Sequence, residues 1–184
     1  MEKLKFETAF KYPFNRAKGM WNILWVLVPI IGWFALGGYS VRIIQEFVNG
    51  QFKELPVFKF EDDFKLGFWM FLKGLPFIIV YAAISAILNQ TDSWAARLVD
   101  VLIAIFIVPM LTINFMKKET IESYFEFKIL KSVFNNLWEY IVVMLKSVLL
   151  AVIFLVMIIV LVGLPAGAFT KNIFIADFYR RKVK

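Results

Sequence analysis

The feature that most constrains this chain is the run from Leu137 to Gly163, whose only charges are Glu139 and Lys146, both near its start. A helix rises ~1.5 Å per residue, so the run is long enough to cross ~30 Å of hydrocarbon. A helix in water would show a polar face at a period of about 3.6 residues, and this one shows none. The sequence therefore specifies an integral membrane protein.

Composition narrows the chemistry. The chain is 61% hydrophobic and 18% aromatic, where soluble domains sit nearer ~45–50% apolar. At 184 residues it reads as a single membrane domain, 1–184. It has no cysteine and no histidine, which excludes disulfides, haem, thiolate-ligated clusters, Cys nucleophiles, His-dependent catalysis and the usual zinc sites. The net charge of +7 is spread among apolar segments. It suits anionic lipid heads better than nucleic acid, which would call for a clustered basic footprint.

Four apolar blocks stand out: Met20–Val41, Phe68–Leu88, Trp94–Met116 and Leu137–Val162. A shorter stretch, Leu164–Tyr179, follows the break at Gly163–Gly167. Lysines and arginines lie before the first block (Lys3, Lys5, Lys11, Arg16, Lys18) and after it (Arg42, Lys53, Lys59, Lys65). They recur at Lys117, Lys118, Lys128 and Lys131, and in the tail from Arg180. Asn89–Ser93 and Gly163–Gly167 hold none. Basic segments stay in the cytoplasm, so both termini are expected there, in a multi-pass protein of the cell membrane.

The expected fold is all-α: a bundle of three helical hairpins, with four to six membrane segments, several broken by proline. Segment 1–19 reads as amphipathic, with Leu4, Phe6, Ala9, Phe10 and Phe14 toward lipid. Segment 20–49 is one kinked helix or a short hairpin, and 68–116 and 138–181 are hairpins. From 118 to 137 the apolar residues Phe127, Leu130, Phe134 and Leu137 repeat at helical spacing, which predicts a surface helix. Each of the segments VPIIGWFALGGYSVRI, VPMLTINFMKKETIES and LPAGAFTKNIFIADFY opens with an aliphatic residue and Pro, a weak sign of a repeated design.

Gly38-Tyr39-Ser40-Val41-Arg42, Gly50, Leu55-Pro56, Asp62-Asp63-Phe64 and Gly67 form a motif. With Lys131-Ser132, Trp138, Tyr140, Pro165 and Phe178-Tyr179-Arg180, it resembles a prokaryotic membrane family known only as domain of unknown function 4013. The likeness covers most of the chain, although Val57–Phe60 is inserted between Leu-Pro and the acidic pair. It implies a membrane fold and brings no established activity.

Two polar constellations and two single residues are candidate functional groups. Tyr39, Arg42, Glu46 and Asn49 form one helical stripe in which Arg42 and Glu46 are spaced to pair, either as a functional mouth or as the wet face of a helix leaving the membrane. Arg97 and Asp100 are i, i+3 neighbours. With Asp92 or Ser93 as helix cap, Asp100 sits roughly 10 Å into the helix, where an ionisable pair is a functional candidate by default. Lys171 and Asp177 stand in the short final stretch. No paired catalytic carboxylates, phosphate loop or metal spacing appears. The expectation is a protein that is not an enzyme, carries no cofactor and meets membrane lipids. It would act by association with other subunits or with itself, as a scaffold or accessory subunit. The alternative is a small transporter, channel or lipid-handling protein, marked by a polar cavity reaching mid-membrane.

Overall fold

The computed structural model describes residues 2–91 and 93–183, and among them every regular element is a helix or turn. Asp92, one of the two expected caps, lies outside the described residues. Ser93 occupies the N-cap position without a side-chain capping bond.

The chain opens with α1 (Phe6–Lys11), α2 (Ala17–Met20) and a 3₁₀ stretch Trp21–Leu27. α3 (Ile31–Val48) and the 31-residue α4 (Phe60–Gln90) follow. α5 (Trp94–Leu102), a π-helical turn (Ile103–Ile107) and α6 (Val108–Lys118) form one continuous rod. After short turns come α7 (Leu130–Phe134), α8 (Leu137–Val156), α9 (Gly163–Thr170) and α10 (Ile173–Lys182).

Among the described residues three helices are long and apolar enough to cross a membrane: Phe60–Gln90, Trp94–Lys118 and Leu137–Ile159. Only 11%, 28% and 17% of their most apolar stretches is buried inside the protein. Side chains such as Ile79 and Leu155 stand outward, a large apolar surface that water does not tolerate and lipid does. The core lies elsewhere, where α3 packs against α4, α6 and α10.

Two glycines set the tightest contact. A Cβ on Gly38 would collide with the Asp63 carbonyl, and a Cβ on Gly67 with the Phe34 carbonyl, so α3 and α4 meet backbone to backbone. The neighbouring Gly37 has open space beside its Cα. α3 then ends in a Schellman motif. Gly50 takes φ 80°, its N–H reaches the Phe47 carbonyl, and the Gln51 N–H reaches that of Glu46.

The prolines are absorbed differently. Pro76 sits inside unbroken α4. Pro109 enters the first turn of α6 just after the π-helical turn, the kind of local rewinding that lets a helix pass a residue without a backbone donor. Its missing N–H would have served the carbonyl of Ile105. That carbonyl instead accepts a 3.0 Å hydrogen bond from the hydroxyl of fully buried Tyr140 on α8.

Two expectations change. The N-terminal segment does not turn its apolar side to lipid. Leu4, Ala9 and Tyr12 are buried in the protein, Phe6 stacks on Phe174, and Phe10 stacks on Phe154. Nor is 118–137 one surface helix. Glu119 takes a left-handed conformation that ends α6, and Asn136 interrupts the helix between α7 and α8. The stretch becomes two 3₁₀ turns, Ile121–Phe125 and Phe127–Ile129, followed by α7. The buried Ser123 forms part of this turn, donating to the Thr120 carbonyl at 2.5 Å, so local polar bonding overrides the helical period.

Replacing Tyr140 by Phe keeps its ring packing on Phe106 and Phe178 but strips the Ile105 carbonyl of its partner. Thermal unfolding in detergent should register a loss of about 1–3 kcal/mol. An unchanged midpoint would mean that this bond does not compensate for Pro109.

Candidate functional site

The ionisable residues singled out from the sequence fall into three separate places. The first lies between α3 and α4. Arg42 forks onto Asp63 at 2.5 and 2.7 Å and donates to the Val57 carbonyl at 2.7 Å. The Asp63 side chain is fully buried, while that of Arg42 is 23% exposed. Asp63 also takes the Lys59 N–H at 2.8 Å, satisfying a donor at the start of α4. The Arg42–Glu46 pairing suggested by helical spacing gives way to this contact across the α3–α4 seam.

Tyr39 is fully buried, not on a wet face, and its hydroxyl donates to the Pro56 carbonyl at 3.0 Å. Asn49 caps the end of α3. Glu46 lines an open cavity of about 730 Å³ with Arg16, Lys53, Glu54 and Phe52. Burial raises its carboxyl above the usual range, against the opposing pull of Arg42. Nearby Tyr12 is pushed above the usual phenol range, first by burial and then by the charge of Glu46. Its buried hydroxyl makes no hydrogen bond among the described residues.

The second place is where α4 meets α5. Asp100 accepts from the Ser85 hydroxyl and the Asn89 amide, both at 3.0 Å, while its other carboxylate oxygen is buried without a hydrogen bond. Its recorded partners are therefore on the neighbouring helix. Arg97 also has a partner interaction.

The third place is the most heavily bonded. Asp177 is 2% exposed on α10. It accepts from Arg180 at 2.6 Å, from Arg181 at 2.9 Å and from the Leu4 backbone N–H at 3.2 Å. Arg181 continues to Glu139 at the start of α8. Lys3 at 3.2 Å and Lys182 at 3.0 Å also reach Glu139. Arg180 closes the cluster by donating to the Glu2 carbonyl at 2.8 Å. Lys171 takes no part and is exposed at the break between α9 and α10.

Three participants carried no expected role. Asp63 stood only as one of two acids in the Asp62-Asp63-Phe64 part of the motif. Glu139 looked like a stray charge beginning an apolar run. Asn114 is fully buried in α6; it donates to the Ser123 carbonyl at 2.6 Å and accepts from the Tyr179 hydroxyl. A lone amide in an apolar block is the available signal for such a residue. Lys73 on α4 donates to the Glu119 carbonyl at 2.8 Å, at the C-terminal end of α6. Among the described residues no group of three carboxylates could hold a metal ion.

These features define an all-helical membrane protein whose charged residues gather at helix ends and seams. Residues 22–163 match the family described as Protein of unknown function (DUF4013), and the chain belongs to that family. No curated protein and no solved structure matches the chain.

The Arg42–Asp63 pair gives a direct energetic test. Asp63→Asn should cost roughly 3–5 kcal/mol, as expected when one partner of a buried pair is removed. Arg42→Met combined with Asp63→Leu should recover much of that loss. Asp62→Asn, at an exposed contact with Lys59, should cost below about 1 kcal/mol. Equal effects of the two single acid substitutions in detergent melting would show that the buried pair has no special weight.

Proposed function

We propose that this chain is a non-enzymatic multi-pass membrane protein acting by association, as a scaffold or accessory subunit of a membrane complex. The observation that carries this reading is where polar space lies. The 730 Å³ cavity is lined by the N-terminal segment, the end of α3 and the loop after it. A second cavity, of about 70 Å³, lies against the start of α8. Neither is lined by the middle of the three apolar helices. Charges at the first and third places are committed to ion pairs between elements or within α10, as structural groups are, rather than turned into a space a substrate could enter.

A topology supports the same reading. Residues 2–4 are bonded to 177–180, so the two ends lie on one side of the membrane and the chain crosses an even number of times. Three long helices are an odd number. The further crossing is α9 with α10, which starts just beyond the far end of α8 and brings Arg181 back to Glu139 at the near end. The positive-inside rule makes that shared side cytoplasmic. The hairpins are then α4 with α5–α6, and α8 with α9–α10.

The transport alternative rests on Asp100, whose second oxygen lacks a hydrogen-bond partner between two apolar helices. Neither of the two cavities above opens onto it.

Photo-crosslinking tests the association reading. A photoreactive residue at Leu155, 64% exposed on α8, should capture one discrete protein partner in the native membrane. The same residue at Leu150, 2% exposed, should capture none. Adducts with lipid alone at Leu155, and equally at Ile79 on α4, would overturn it.

A further inference from the structure

The 70 Å³ cavity between the N-terminal segment, α8 and α10 is lined by Lys3, Glu139, Lys146, Asp177 and Arg181, with apolar side chains beside them. It exceeds the ~30 Å³ share of one water molecule in the liquid. Both carboxylates there are already occupied. Glu139 holds Lys3, Arg181 and Lys182, and Asp177 holds Arg180, Arg181 and the Leu4 N–H.

Lys146 is different. It lies seven residues after Glu139, so it shares that face of α8 roughly 10 Å farther into the helix. It is half-buried, and no hydrogen bond or ion pair holds it among the described residues. An ammonium with no anionic partner this far along an apolar helix is costly, and the cluster around it contains more cations than carboxylates.

We propose that this cavity binds a phosphate oxyanion through Lys146 and the exposed Lys3, while Arg181 stays on Glu139 and Asp177. The group is carried by the headgroup of an anionic phospholipid. The lipid source follows from position: the cavity lies in the first half of the most apolar helix, where half-buried Val142 stands in its wall and the outward Leu145 and Leu149 flank Lys146 with a surface for an acyl chain. This inference rests on α8 crossing the membrane, as argued above.

Native mass spectrometry of the full-length protein, exchanged into phosphatidylglycerol or phosphatidylcholine, reads the site directly. The wild type should retain one phosphatidylglycerol in preference to phosphatidylcholine. Lys146→Met should lower that retention about fivefold, the effect of one basic residue at a lipid surface, and Lys146→Arg should restore it. Lys65→Met, on an exposed pair with Glu61, should have no effect. Inorganic phosphate distinguishes the sources. If it fails to displace the lipid, the lipid origin stands. If it displaces the lipid and stabilises the wild type but not Lys146→Met, the same pocket takes free phosphate and the lipid assignment fails. Equal retention of the two lipids, or a preference unchanged in Lys146→Met, overturns the site. Carbonate extraction run alongside keeps that failure separate from failure of the membrane reading, which would release the chain from the bilayer.

Discussion

The fold hangs on Asp177. It is a nearly fully buried carboxylate, and such a group is tolerated only when its charge and lone pairs are met. It meets two arginines of its own helix and a backbone N–H from the opposite end of the chain. Because Arg181 also binds Glu139, one carboxylate joins the N-terminal segment, α8 and α10. That contact explains why Leu4 and Ala9 are buried in protein instead of lipid, and it is the ground for proposing that the two ends of the chain share one side of the membrane.

A second restraint acts on α3. Gly38 and Gly67 bring two backbones together, and Arg42 and Asp63 pin the same seam with charge. Helices in lipid gain little from hydrophobic burial against one another, so close backbone approach and polar bonds carry their association. The polar end of the molecule is correspondingly well tied. Gln45 reaches Glu119 and the Met116 carbonyl, and Tyr179 reaches Asn114. Outside these contacts the long helices turn broad apolar faces outward, as surfaces for lipid or another membrane chain.

Much of this was legible in the residues. The uncharged run after Lys146 specified a crossing helix, because hydrocarbon thickness and helical rise admit few other solutions. The family motif from Gly38 to Gly67 marked the α3–α4 seam, although the partner of Arg42 was misread. Helical spacing pointed to Glu46, whereas the strong pair formed with an acid distant in sequence. The stripe at Phe127, Leu130 and Phe134 looked helical, and a left-handed Glu119 with the Ser123 turn broke it. Beside the local Ser123 bond, Lys73 on α4 and Asn114 on α6 hold the Glu119 and Ser123 carbonyls, contacts that periodicity cannot register. Asp177 was recognisable as an odd charge in an apolar stretch. Its partners came from Arg180, Arg181 and the far end of the chain, and sequence distance concealed the last of them.

The parity of membrane crossings is the central claim, and cysteine accessibility tests it most directly because the chain has no native cysteine. Single cysteines at exposed Lys5, Thr91 and Lys128, and at Val183, would be treated with an impermeant maleimide on intact cells. The account predicts labelling at Thr91 alone, with Lys5, Lys128 and Val183 reacting only after the membrane is permeabilised. Labelling of Val183 but not Lys5 in intact cells would place the two ends on opposite sides and contradict it.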